Sequence, residues 1–197
     1  VMHQTHHAGG LIAAEIVLIY YHQPVFSWIT PAALLGGYFL AAAADVDKPE
    51  SYVGQKVLPI SLALQTLRIR HRTLTHSLLF TAMLWLLLRS SGLPNVLVDA
   101  WVAAYASHWF LDLFNEQGVE LVWPLPFRIK FLPSLLAVGT DSFAEVLIRQ
   151  SLYGVHYLLF FVLVKPLLFD LPIVGQLFSN IWAMLLSSMP HFISRYL

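Results

Sequence analysis

The chain contains no cysteine, so neither a disulfide nor a thiolate metal ligand is available to it. Charge is scarce as well. Only 11% of its 197 residues are charged, against about 25% in soluble domains, and the formal net charge of +0 excludes a bulk attraction to nucleic acid. The N-terminus carries histidines rather than a basic region followed by a small-residue cleavage site, so no cleavable signal peptide is expected and the first apolar segment stays in the protein. There is no internal repeat and no low-complexity tract, which makes one domain over 1–197 the economical reading. What is abundant is apolar surface: 58% of the residues are hydrophobic and the mean hydropathy is +0.69. That composition belongs to the membrane class.

The pattern predicts an all-α, polytopic membrane bundle of about four to six helices. Six apolar segments stand out, at about 8–28, 31–44, 73–88, 95–114, 152–169 and 172–189. The second and third are short for the roughly 20 residues a span requires. A polar stretch, 45–72, separates them, and Arg89-Ser90-Ser91-Gly92-Leu93-Pro94 marks a turn. If direction alternates, the N-terminus, 45–72, 115–150 and the C-terminus share one face. Most basic residues, among them Lys48, Arg68, Arg72, Arg128 and Arg149, then fall on that face, whereas Arg89 lies on the other. The excess of lysine and arginine predicts that this face is cytoplasmic, although a phosphate-binding site would gather the same residues.

The same face collects the chemistry. His108 and Asp112, four residues apart near the end of the fourth segment, share a helical face and can reach one ion. Asp45 and Asp47 close the second segment, where negative charge opposes the helix dipole and invites a cation. In His71-Arg72-Thr73-Leu74-Thr75-His76-Ser77 the two histidines are five apart, and they converge only if His71 lies in the entering loop with Thr73 or Thr75 capping the helix. Arg72 could grip a phosphate oxygen or merely anchor a membrane edge. His6 precedes the first segment, with His3 and His7 beside it. Glu15 lies within that segment and should be neutral or paired, and Glu145 is a candidate base. Without thiolates, imidazole and carboxylate would suit zinc, manganese, iron or magnesium.

These pieces resemble the YdjM-type inner-membrane family of membrane-bound metal-dependent hydrolases. They are Thr5-His6 with Gly9-Gly10, Asp45-Val46-Asp47-Lys48-Pro49-Glu50-Ser51, His71 to Leu78, Ser107-His108 to Asp112 with Gly118 and Trp123-Pro124, and Gly139-Thr140-Asp141-Ser142 to Glu145. The chain departs from the family pattern at Ala44, where proline is usual before the aspartates, and at Lys48, where histidine is frequent. The resemblance further implies a distant likeness to zinc-dependent phospholipase C, an all-helical fold binding several ions through histidine and aspartate.

The expectation is therefore a membrane-embedded hydrolase cleaving a phosphate ester of a lipid or headgroup. His6, Asp45, Asp47, His71, His76, His108 and Asp112 would hold one or two divalent ions, with two favoured because seven candidates exceed the needs of one zinc. Arg72 would assist as electrophile, and Glu145 or an unligated aspartate would serve as base. Two alternatives compete. A divalent-cation transporter would need polar groups deep in the span, where Glu15 and Asp99 are the carboxylates available. A structural or regulatory membrane protein would use the metal only to fix helix ends.

Overall fold

Glycine and alanine decide how the helices meet. The structure, a computed structural model, describes residues 3–133, 138–139, 142–170, 176–177, 179–181, 183–184 and 187. Helices α1 (His3–Tyr20), α2 (Ile29–Leu40) and α6 (Asn95–Asp112) pack against one another, and α5 (Leu78–Ser90) lies along α6. A Cβ on Gly10 of α1 would stand 2.6 Å from the Gly37 carbonyl of α2, and one on Gly36 would stand 1.9 Å from Trp101 Nε1 of α6. Ala14, Ala33, Ala100 and Ala104 fill the remaining contacts and are fully buried. Such small residues let backbones approach closely, the packing that membrane helices rely on where lipid supplies no hydrophobic drive between them.

The polar stretch after α2 is also helical, in short pieces. A 3₁₀ turn, Ala43–Asp47, continues α2. Helices α3 (Tyr52–Lys56) and α4 (Leu58–Thr66) follow, α3 capped by Ser51 Oγ, which accepts from Gly54 N at 2.8 Å. Helix α7 (Phe143–Asp170) begins nine residues before its expected start because Phe143, Val146, Leu147 and Ile148 prolong the apolar pattern. The described residues contain no named strand, so the all-α expectation holds.

Two segments are long and apolar enough to cross a membrane by length and composition, 29–47 and 143–168, with α5 a shorter apolar helix. Helices α1 and α6 have 18 residues each but spend them on polar groups, Thr5, His6, His7 and Glu15 in one and Asp99, His108 and Asp112 in the other. The sixth expected segment lies mostly outside the described residues, as do Thr140, Asp141 and His191. Leu79, Leu86 and Leu87 of α5 and Leu158 of α7 are exposed, an apolar exterior that suits lipid better than water.

The chain divides into two compact units, 1–159 and 160–197. The first holds α1 to α6 and the beginning of α7. The second is helical wherever it is described.

Candidate metal centre

Four chain segments deliver six of the predicted ligands to one end of the α1–α2–α6 group. Helix α1 starts earlier than expected, so His6 sits in its opening turns, beside the end of α6. The rings of His6 and His108 stack with centroids 3.7 Å apart. The 3₁₀ turn carries Asp45 and Asp47. The 71–77 segment enters as a loop, and the expected cap is corrected: neither Thr73 nor Thr75 caps α5, because Ser77 Oγ accepts from Phe80 N at 3.1 Å. Helix α5 thus begins at Leu78, five residues later than expected. The delay leaves 71–77 free to fold inward, so both of its histidines reach the cluster. His108 and Asp112 share the face predicted by their spacing, with Nε2 and Oδ2 3.8 Å apart.

The tautomers of three histidines follow from their neighbours. His108 Nδ1 donates to the Ala41 carbonyl at 2.6 Å. His71 Nδ1 donates to Asp47 Oδ1 at 2.8 Å. His76 Nδ1 donates to Thr75 Oγ1 at 3.0 Å, and that hydroxyl donates onward to Asp47 Oδ2 at 2.6 Å. In the neutral form of each ring the lone pair is left on Nε2. These Nε2 atoms face carboxylates at distances too long for a hydrogen bond. Asp45 Oδ1 stands 3.4 Å from His108 Nε2, 3.6 Å from His76 Nε2 and 3.9 Å from His71 Nε2. Asp112 Oδ2 stands 3.6 Å from His76 Nε2, and Asp112 Oδ1 stands 3.7 Å from His6 Nε2. The Nε2 atoms of His76 and His108 are buried without a hydrogen bond. Ligands about 2.0–2.1 Å from one tetrahedral ion lie about 3.3–3.4 Å from each other, so these spacings fit a coordination shell and the residues fit a divalent ion.

Two overlapping ligand groups result, His6 with His108 and Asp112, and Asp45 with His71 and His76. Asp45 and Asp112 each face histidines of both groups, which makes them the natural bridge. Burial, together with the neighbouring His108, holds the His6 imidazole well below its usual range and keeps it neutral, the form that ligates. Burial also opposes charge on His76, but Asp45 and Asp47 outweigh it and lift its pKa to about 9. The carboxylates therefore favour a positive charge at this point.

Three expected site residues have partners of their own. Asp47 was expected among the ligands, yet the structure puts it behind them: its Oδ1 accepts from His71, and its Oδ2 accepts from Thr75 and, at 3.2 Å, from Arg72 N. Metal-binding histidines commonly donate their second nitrogen to such a carboxylate. Arg72 was expected to grip a phosphate oxygen. Its guanidinium instead forks onto Asp112, Nε to Oδ2 at 2.9 Å and Nη2 to Oδ1 at 3.1 Å, while Nη1 donates to Gln117 Oε1 at 3.3 Å. Its backbone, at φ 63, is held in the left-handed region by Asp47 on its N–H and by Glu120 N, which donates to its carbonyl at 3.0 Å. Glu145, the candidate base, is buried elsewhere. It accepts from Thr5 Oγ1 at 3.2 Å and lines an apolar cavity of about 290 Å³ with Phe110 and Phe114. It supports α1 next to His6 and does not line the polar cavity.

That polar cavity, about 240 Å³, is lined by His6, Asp45, His71, Arg72 and Asp112 together with Lys48, Asn115 and Gln117. The supporting groups Ala41, Asn115 and Gln117 went unremarked in the sequence, and Thr75 stood out there only as a helix cap. A backbone carbonyl leaves no signal there, and Thr75 could have been found only as a small hydroxyl beside a predicted ligand. Two further buried groups are occupied elsewhere. His7 Nδ1 donates to the Tyr38 carbonyl at 2.7 Å, and Glu15 pairs with His156 Nδ1 at 2.8 Å, the paired state expected of it.

A clustered histidine–aspartate centre on an apolar helical frame is what the motif order promised, and comparison with known proteins decides the kinship. The family described as YdjM inner membrane protein matches residues 1–185. The chain belongs to that family. It is 31% identical over 150 residues to "Uncharacterized protein YvsG" of Bacillus subtilis (strain 168), covering 76% of this chain and 88% of that one. It is 32% identical over 113 residues to "Inner membrane protein YdjM" of Escherichia coli (strain K12) and equally to that of Shigella flexneri, 55% of each chain being covered. The chain thus spans about half the length of the YdjM proteins it matches. No solved structure matches it significantly, and the expected likeness to zinc-dependent phospholipase C therefore finds no structural counterpart. Family membership makes this a bacterial inner-membrane protein.

Proposed function

We propose that this YdjM-family protein is a membrane-bound, divalent-metal-dependent hydrolase of phosphate esters, acting on a lipid or lipid-linked phosphate from the cytoplasmic side. The observation that carries the reading is the convergence of four imidazole Nε2 atoms on Asp45 and Asp112, with the Nδ1 atoms of His71, His76 and His108 already hydrogen-bonded to neighbours. His6, His108 and Asp112 would hold one ion and Asp45, His71 and His76 a second, with zinc favoured by the nitrogen-rich donor set and manganese, iron or magnesium as alternatives. When bound, such ions acidify water and offset charge on phosphoryl oxygens.

The protein's own groups supply orientation and proton acceptance. Asp47 and Thr75 fix the His71 and His76 rings. The Ala41 carbonyl fixes His108, and the Arg72 fork fixes Asp112. Asp45 is the cluster carboxylate most open to the cavity, its side chain 21% exposed against 1% for Asp112. The Oδ1 of Asp45 faces the histidines, and we assign its other oxygen the proton from the attacking water. The water oxygen adds to phosphorus, the ester P–O bond breaks, and the alcohol leaves with a proton from solvent. A site at the end of a membrane helix group would let a lipid present its headgroup while its chains stay in the bilayer.

The carboxylates a conduction path would need are tied elsewhere, which disfavours the transporter reading. Asp99 accepts from Arg89 Nη2 at 2.7 Å and from Tyr21 at 2.7 Å, and Glu15 is paired with His156. The test is turnover of inner-membrane lipid extract and of phosphatidate by zinc- or manganese-loaded protein, compared with His76→Ala. Release of phosphate or headgroup that disappears in the variant supports the reading. No product from any phosphate ester, or metal flux into proteoliposomes without hydrolysis, would sink it.

A further inference from the structure

The polar cavity is also lined by polar residues outside the ligand cluster. Lys48 follows the 3₁₀ turn directly and is held by its backbone: its N–H donates to Asp45 O at 3.1 Å, and its carbonyl accepts from Ser51 N at 2.9 Å. Gly54 packs so closely on that carbonyl that a Cβ would come within 2.1 Å of it. Lys48 lines the cavity, and no ion pair among the described residues involves its ammonium. Its place in the cavity is therefore set by the same turn that presents Asp45.

The turn after α6 brings two amides to the same cavity. Asn115 N donates to Asp112 O at 3.1 Å, and Gly118, in the left-handed region at φ 64, closes the turn against Ile129. Asn115 Oδ1 accepts from Gln117 N at 3.2 Å, and Gln117 Oε1 accepts from Arg72. Both amide oxygens are thereby committed, because an N–H and a guanidinium can only donate. The ends left for a ligand are the NH₂ groups. Asn115 is only 5% exposed, so its side chain is held in place beside the cavity it lines. An ammonium and two amide NH₂ groups thus share a cavity with the ligand cluster, and each can only donate.

We propose that Lys48, Asn115 and Gln117 form an oxyanion-binding subsite that seats the non-reacting oxygens of a phosphate group. The Arg72 guanidinium, committed to Asp112, positions a ligand residue, and Lys48 takes the anion-gripping role. The subsite deepens the phosphoester reading and rests on it for the identity of the anion.

The test is calorimetric binding of inorganic phosphate to metal-loaded protein in detergent, with metal content measured on each sample. Lys48→Met should weaken phosphate about tenfold, the scale of one charge-assisted hydrogen bond, at unchanged metal content, and Lys48→Arg should recover most of the loss. Gln117→Glu, which keeps the acceptor for Arg72 but exchanges the donor for an anion, should weaken binding at least as much. Lys48 is exposed, so its variants fold even if those of the turn do not. Phosphate affinity unchanged in Lys48→Met with metal retained, or no phosphate binding by the wild type, overturns the subsite. Phosphatidate in dodecylmaltoside micelles compared with glycerol 3-phosphate separates a lipid headgroup from a soluble ester. Tighter Lys48-dependent binding of the former assigns the lipid, equal binding assigns the soluble ester, and loss of Lys48 dependence in both overturns the proposal. Lys48-dependent phosphate binding by a protein that hydrolyses nothing would leave the subsite standing and remove the hydrolase.

Discussion

Replacing Asp47 with asparagine probes the logic of the centre at a residue hydrogen-bonded behind the proposed ligands. The substitution is nearly isosteric but leaves one acceptor oxygen where the carboxylate had two. Two donors, Thr75 Oγ1 at 2.6 Å and Arg72 N at 3.2 Å, converge on Oδ2, while His71 Nδ1 alone faces Oδ1 at 2.8 Å. The amide oxygen should therefore stay with Thr75 and Arg72 and turn its NH₂ toward His71. Facing a donor, His71 Nδ1 must become an acceptor, and the ring proton moves to Nε2, the atom that would hold the metal. Losing such a supporting carboxylate costs about 10–100-fold in metal affinity, or about 1.4–2.7 kcal/mol. Asp47→Asn should accordingly weaken metal binding by that factor in a competition titration with a chelating dye. At saturating metal it should still bind as many ions as the wild type. Reduced stoichiometry at saturation would make Asp47 a ligand, and unchanged affinity would refute the tautomer argument.

Other outcomes follow from the same geometry. The double variant His108→Ala with Asp112→Ala should lose most of the roughly two divalent ions expected per chain, as read by elemental analysis; full retention would remove the site. Arg72→Lys cannot reproduce the fork onto Asp112, and turnover should fall at least about tenfold with the protein still folded by circular dichroism. A chelator should lower the melting temperature in detergent, because metal present at about 100 times its Kd contributes about 2.7 kcal/mol; an unshifted melt would mean that the folded state holds no ion tightly. Gly36→Ala drives a Cβ into Trp101 Nε1, which donates to Ala32 O at 3.0 Å. It should destabilise the α2–α6 contact by about 1–3 kcal/mol, seen as a lower melt without any change in metal stoichiometry of the surviving folded fraction.

Much of the centre was legible because metal chemistry restricts residue types and helical spacing restricts geometry. The four-residue interval from His108 to Asp112 needs only a helix to put both on one face. Charge at a helix end, as at Asp45, is conspicuous in a chain so poor in charge. Roles were less legible than membership. Arg72 and Asp47 carry the same formal charges whether they meet substrate, metal or a neighbouring side chain, and only their partners distinguish these cases. Glu145 lies far along the chain from His6, yet the fold brings it to Thr5 and away from the polar cavity. Helices α1 and α6 carry polar site residues among their buried positions, so hydropathy alone does not mark them as spans.

Composition and spacing alone determined an all-helical, cysteine-free membrane protein whose imidazoles and carboxylates gather at segment ends, since hydropathy and helical periodicity are local properties of the chain. Tertiary structure alone decided which nitrogen of each ring is free, which carboxylate faces the cavity and which stands behind a histidine. Those outcomes depend on contacts across dozens of residues, such as Ala41 with His108 and Asp47 with His71, and hydrogen-bond partners of that separation exist only once Gly10, Gly36 and Gly37 have let the helices close together.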